Sequence, residues 1–253
     1  MSFTIQGIRI SDNLKTGYSL NVDRAWCQPT RWCRSCCYGR EVSKEQAKLE
    51  GIHTNKGPIA WKAAQRCYTM NRLRLSLMSE EQRLSFGRTL AARLLNRGYD
   101  NLRICGMGDL GLPLIHVCLG LMEGQVRPWG FSKRADMLAL LDIKTSQMGL
   151  ELGDPQYPCF TGSVDSSMTL DRINALIVVT RHLMGEPRLA YVTQEPGWVG
   201  AAEIDALPFK SYLKVVFGYH TASHKTEVAH GLACPATNGV KDVHCQTCRR
   251  CLT

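Results

Sequence analysis

The sequence predicts an α/β fold: a partial (β/α)6 barrel with mostly parallel strands and a short cysteine-rich C-terminal appendage. Three observations carry that prediction. Six short apolar, β-rich runs recur along the chain: Tyr18–Val22, Leu102–Cys105, Pro128–Ser132, Cys159–Gly162, Leu189–Thr193 and Leu213–Phe217. Helical patterns separate most of them, and strands alternating with helices pack as repeated βα units around a parallel sheet. No Ser/Gly/Pro-rich linker or charge block divides the 253 residues, a length that supports one large core. Residues 1–225 are therefore read as the barrel with an N-terminal cysteine loop, and 226–253 as the appendage.

The elements follow in order. After the first strand, helices start at two capping boxes, Ser43-x-x-Gln46 and Ser79-x-x-Gln82, closed by Gly51 and Gly98 respectively. Later helices fall near 111–124, 133–143 and 170–184, and a weaker one near 198–207. In a parallel βα barrel the loops at the C-terminal strand ends hold the function. Here those loops contain Cys27 to Cys37, Gly106-Met-Gly-Asp109, Ser163 to Asp165, Gln194-Glu195-Pro196-Gly197 and Tyr219 to His224.

Apolar stretches such as Leu114–Met122 are too short to span a bilayer, and the N-terminus lacks a basic head followed by an apolar run. The expectation is a cytoplasmic protein with no membrane partner. In a reducing compartment disulfides are disfavoured, so twelve cysteines point to metal binding. The formal charge is +9. Iron–sulfur sites with four and with three thiolate ligands would lower it to about +6, still basic. The excess lies in Arg24, Arg31, Arg34 and Arg40 and in the stretch from Lys62 to Arg103. Such a face suits nucleic acid or phosphorylated substrates, or is a solvated helix surface.

The tail holds Cys234, followed by Pro235, then Cys245, Cys248 and Cys251. Successive x2 spacings with a distant Cys-Pro are the pattern by which bacterial-type ferredoxins hold a 4Fe–4S cluster. Zinc is the competing occupant, with Cys234 and His244 completing its set. Near the start, Cys27, Cys33, Cys36 and Cys37 give C-x5-C-x2-C or C-x5-C-x3-C, depending on whether Cys36 or Cys37 serves as third ligand. Three thiolates leave one iron of a second cluster open to a small molecule, whereas four would make a structural site. Cys67, Cys105, Cys118 and Cys159 lie in helices or apolar strands and read as packing residues.

A strand, a three-cysteine loop and a partial βα barrel together resemble the radical S-adenosylmethionine enzymes. The resemblance implies that the N-terminal cysteines hold a 4Fe–4S cluster whose open iron binds S-adenosylmethionine. The usual spacing there is C-x3-C-x2-C with an aromatic residue before the last cysteine; here it is longer, and Tyr38 follows Cys37. In finer detail the "NLKTGYSLN" opening, the Cys37-Tyr38 pair, Gly108-Asp109 and the "CPA…G…C..C..C" tail are similar to a cysteine-rich family of bacteriophage and mobile-element proteins, for which no reaction is assigned. By the first resemblance, Gly106, Gly108 and Asp109 take the place of the segment that holds the cofactor's amino group. The other reading is a glycine turn with Asp109 capping the next helix.

Lys133, Ser163, Asp165, Gln194 and Glu195 are further polar residues at strand ends. His220 and His224, four apart, are read as a metal pair, substrate donors or a structural cap. Two functions remain open: a redox enzyme that needs an electron donor and acts on an unknown substrate, and a non-enzymatic nucleic-acid-binding module with iron–sulfur or zinc sites.

Overall fold

A computed structural model of the protein describes residues 2–13, 17–31, 58–106, 108–196, 201–219, 232 and 234. It is a mixed α/β structure built on one eight-stranded sheet, with strands in the order of the chain. The first two strands, β1 (Phe3–Ile5) and β2 (Ile8–Asn13), form an antiparallel hairpin, and β2 pairs antiparallel with β3 (Gly17–Leu20). From β3 onward all pairing is parallel, through β4 (Asn101–Ile104), β5 (Arg127–Ser132), β6 (Cys159–Asp165), β7 (Leu189–Pro196) and β8 (Leu213–Tyr219). These six parallel strands cover the six runs expected from sequence.

The hairpin was not expected. Its turn is Gln6-Gly7, both at positive φ (49° and 77°), as a two-residue turn matching the twist of its strands requires. Phe3, Ile5, Ile8 and Ile10 alternate into the core, so the hairpin closes one end of the sheet with apolar side chains.

Helices α1 (Pro58–Leu77) and α2 (Glu80–Leu95) stand between β3 and β4. The Ser79 capping box forms as expected: its hydroxyl accepts from Gln82 N at 3.2 Å and the Gln82 side chain accepts from Ser79 N at 2.8 Å. The expected Ser43–Gln46 helix lies outside the described residues. Helices α3 (Leu112–Glu123), α4 (Ala135–Gln147) and α5 (Leu170–Met184) each follow a strand, and α6 (Ala201–Asp205) is a single turn and a half. No helix among the described residues is long and apolar enough to cross a membrane.

Two glycines let α2 and α3 touch. A Cβ on Gly120 would stand 2.2 Å from the Leu84 carbonyl oxygen, and one on Gly87 would stand 2.5 Å from that of Val117. Backbone cannot yield there as a flexible side chain could. Gly120→Ala is therefore expected to cost about 3 kcal/mol, the upper part of the overpacking range. For a chain of this size that lowers the melting temperature by about 6–12 °C. A thermal melt within about 2 °C of the wild type would contradict the close approach.

Strand alternation gives the sheet two faces. Leu102, Ile104, Phe160, Val164 and Val216 belong to the large core, on the face that the helices cover. The other face carries Arg103, Trp129, Phe131, Thr161, Ala190 and Phe217, and it curls. Strands β5 and β8 are three spacings apart, about 14 Å on a flat sheet. Yet the Phe131 and Phe217 rings meet edge to face with centroids 5.1 Å apart.

Two residues of the segment read as an appendage, Leu232 and Cys234, bond to this sheet. Val216 N donates to the Leu232 carbonyl (2.8 Å) and Cys234 N donates to the Val216 carbonyl (3.3 Å), the alternation of a parallel ladder along the free edge of β8. Cys234 is buried and packs with Ala190 and Val215 on the curled face.

Candidate metal centre and strand-end network

Beyond β3 the chain does not turn away from the sheet but crosses the C-terminal ends of its neighbours. A 3-10 turn at Arg24–Trp26 is capped by Asp23, whose side chain accepts from Ala25 N at 3.0 Å and from Arg72 Nε at 2.8 and 2.9 Å. Five contacts then fasten the loop. A Cβ on Gly108 (φ 85°) would stand 2.7 Å from Asp23 O, and one on Gly111 would stand 2.6 Å from the Trp26 ring. Arg134 donates to Trp26 O (2.9 Å) and Arg172 to Gln28 O (3.1 Å). Finally, Thr30 Oγ1 donates to Asp165 Oδ2 at 2.7 Å, tying the loop to the end of β6. Cys27 lies in the middle of this crossing, half-buried, with its N–H bonded to Arg24 O at 2.9 Å.

Two buried carboxylates organise the strand ends. Asp109 Oδ1 accepts from Ser132 Oγ (2.6 Å) and Leu110 N (2.8 Å), and Oδ2 accepts from Lys133 N (3.2 Å). Burial pushes its pKa up, against the pull of those hydrogen bonds and of Arg134. Asp165, at 1% exposure, accepts from Lys133 Nζ and Thr30 on one oxygen and from Ser167 N and Oγ on the other. Burial pushes this carboxyl up as well, but the bonds from Lys133 and Thr30 and the Lys133 charge outweigh it, so the net shift is downward. Asp109, Ser132, Lys133, Asp165 and Thr30 thus join the loops after β3, β4, β5 and β6.

The two shifts have opposite consequences for stability. Asp165 titrates lower in the fold than its unfolded value of about 3.9, so its contribution is present above that pH and is lost as pH falls through the folded value. Asp109 titrates higher in the fold, so it disfavours folding once ionised. Asp165→Asn should therefore flatten the fall in melting temperature below about pH 4, whereas Asp109→Asn should steepen it above about pH 4, between the unfolded value and the raised folded one. Melts between pH 6 and pH 2.5 for the three proteins check both signs.

Several expected site residues are placed by these contacts. Gly106 and Gly108 lie in the loop after β4, and their missing side chains are matched by the chain itself: Asn21 Oδ1 would be 2.8 Å from a Cβ on Gly106. Asp109 does not cap α3, whose N-cap is Gly111 with no side-chain bond. Both of its oxygens accept from chain donors, and it fixes the loop. Cys105, immediately before, has a left-handed backbone (φ 57°), uncommon for a side chain this size. Burial first, then Asp109 and Cys27, hold its thiol well above the ordinary value. Burial likewise raises the thiols of Cys118 and Cys159, as inert packing cysteines require.

Of the expected thiolate ligands, Cys27 and Cys234 are described; Cys33, Cys36, Cys37, Cys245, Cys248 and Cys251 lie outside the described residues, as do His220, His224 and His244. Among the described residues no three of His, Cys, Asp and Glu converge as a metal-ligand set. Ser163 is half-buried on the curled face, and Gln194 and Glu195 fall in β7. Sequence reading missed Thr30, Trp26 and Arg134. Only Trp26, an aromatic beside the first cysteine, carried a local signal.

The basic stretch looks different in three dimensions. Arg72 pairs with Asp23, and Arg88 with Glu81 and Glu123. Arg74 donates to Gly7 O and Arg83 to Met78 O. Arg93 and Arg97 lie over the Phe3 ring, and Arg97 also donates to Tyr18 Oη. Most of these guanidinium groups are used within the chain.

No family model matches the sequence, and neither curated proteins nor solved structures yield a match to it.

Proposed function

We propose that the protein is an iron–sulfur redox enzyme of the radical S-adenosylmethionine kind, built on a partial (β/α)6 barrel formed by β3 to β8 and acting on a substrate at the C-terminal strand ends. The observation that carries this reading is the course of the Cys27 loop. It is fastened across the ends of β4, β5 and β6 by Gly111–Trp26, Arg134–Trp26 and Thr30–Asp165, where a βα barrel does its chemistry. The meeting of the Phe131 and Phe217 rings supports barrel-like curvature.

The donor set fits iron–sulfur ligation: thiolates in two groups, with Arg134 beside Cys27 to offset negative charge. Cys27 with Cys33 and either Cys36 or Cys37 would hold one 4Fe–4S cluster, and Cys234, Cys245, Cys248 and Cys251 the second. When bound, the first cluster supplies an electron and an open iron site for S-adenosylmethionine. The chain's own part is positional. The loop contacts hold Cys27 in place, and the Asp109 and Asp165 networks keep the loops after β3 to β6 in register. Iron of this kind belongs with a reducing, cytoplasmic setting.

The nucleic-acid-binding alternative, in which the iron–sulfur or zinc sites only fix loops, draws on the net charge of +9. It is weakened by the intramolecular use of the arginines between Arg72 and Arg97. The enzyme reading is tested by reducing the anaerobically purified protein with dithionite and adding S-adenosylmethionine. Formation of 5′-deoxyadenosine, with a changed electron paramagnetic resonance signal on cofactor addition, is expected. An unchanged signal and intact cofactor would exclude it.

A further inference from the structure

Arg103 sits against aromatic rings. It projects from β4 onto the curled face, where its guanidinium carbon lies 5.5 Å from the centre of the Trp129 ring and 5.8 Å from that of Phe131. Its Nε is buried and has no hydrogen-bond partner among the described residues. Nor does any described carboxylate pair with it, although Arg72, Arg88 and Arg134 on the same structure all have one. Buried donors in folded proteins are almost always met, so this one asks for a reason.

The surroundings supply it. Beneath, the indole of Trp129 is fixed by its own bond to Asn101 Oδ1 at 3.1 Å, making a rigid floor for the cation. Above, Gly106 lies against Arg103 Nε, and a Cβ there would stand in ordinary contact with it at 3.6 Å. To one side the half-buried Phe131 and Phe217 rings form an apolar wall. A guanidinium steadied by aromatic faces is a planar fork of donors, the geometry that meets a planar oxyanion through two parallel bonds.

We propose that Arg103 binds the carboxylate or phosphate group of a small ligand whose flat apolar portion rests on Phe131 and Phe217. This goes beyond the proposed redox reaction and does not depend on iron. A barrel enzyme would use such a site to anchor its substrate, and a protein without catalysis would use it to bind a metabolite.

Titration calorimetry on the full-length protein tests the proposal with four probes: benzoate, phenyl phosphate, inorganic phosphate and the uncharged benzamide. Benzoate or phenyl phosphate is expected to bind saturably, inorganic phosphate more weakly, and benzamide not at all. Whichever of the first two binds more tightly identifies the oxyanion. Arg103→Gln should weaken that binding at least about tenfold. Equal affinity in the variant, benzamide binding as tightly as benzoate, or no saturable binding of any anion to the wild type would overturn the assignment. Should Arg103→Gln fail to fold, phenylglyoxal labelling of the wild type decides: the bound anion must protect Arg103, and undiminished labelling there contradicts the site.

Discussion

Asp165→Ala is expected to destabilise the protein by about 3–5 kcal/mol, the cost of leaving a buried charge without its partner. The Lys133 side chain is 12% exposed and that of Asp165 fully buried, so water cannot take over the role of the lost carboxylate. The substitution also strands the hydroxyls of Thr30 and Ser167, both of which donate to Asp165. At this chain length the melting temperature should fall by about 6–20 °C. Removing both charges is a different matter, because an apolar pair needs no compensation. Lys133→Met with Asp165→Leu should therefore melt well above Asp165→Ala alone. A double variant no more stable than the single one would show that the ion pair is not what the carboxylate serves.

Cys27→Ala is expected to remove the N-terminal cluster and all S-adenosylmethionine cleavage while leaving the fold intact. Cys27 is half-buried, and Asp23, the Trp26 and Gln28 carbonyls and Thr30 all make bonds that fasten its loop. Two remaining thiolates do not hold a cubane, so iron should drop from about eight to about four per chain. Cys67→Ala is the matched control, since Cys67 is a half-buried cysteine of α1 to which no ligand role is given. Iron and cleavage should be unaffected there. Cleavage retained by Cys27→Ala would remove this residue from the ligand set.

The parallel strands were legible because each is a short, β-rich apolar run and most are followed by a helix, and the Ser79 helix start because its capping box is a local rule that the structure obeys. The hairpin escaped notice because Gln6 is an unusual residue at positive φ, where Asn-Gly would have announced the turn. Helix starts shifted by a residue or two, as at α4, because Arg134 turns back to Trp26 instead of entering the helix. At the site, sequence spacing marked the cysteines and the Gly106–Asp109 loop. It could not show that Asp109 faces inward to Ser132 and Lys133, or that Thr30 reaches Asp165 across 135 residues of chain. Arg103 was read as one more charge in a basic stretch. Its place on the curled face follows from pairing with Trp129 in β5, which only the sheet register supplies.

The most direct measurement is the metal and sulfide content of the full-length protein purified without oxygen. Two cubanes predict a brown protein with about eight iron and about eight sulfide per chain and negligible zinc. A colourless preparation, poor in iron and carrying zinc on the same cysteines, would contradict the account at its root.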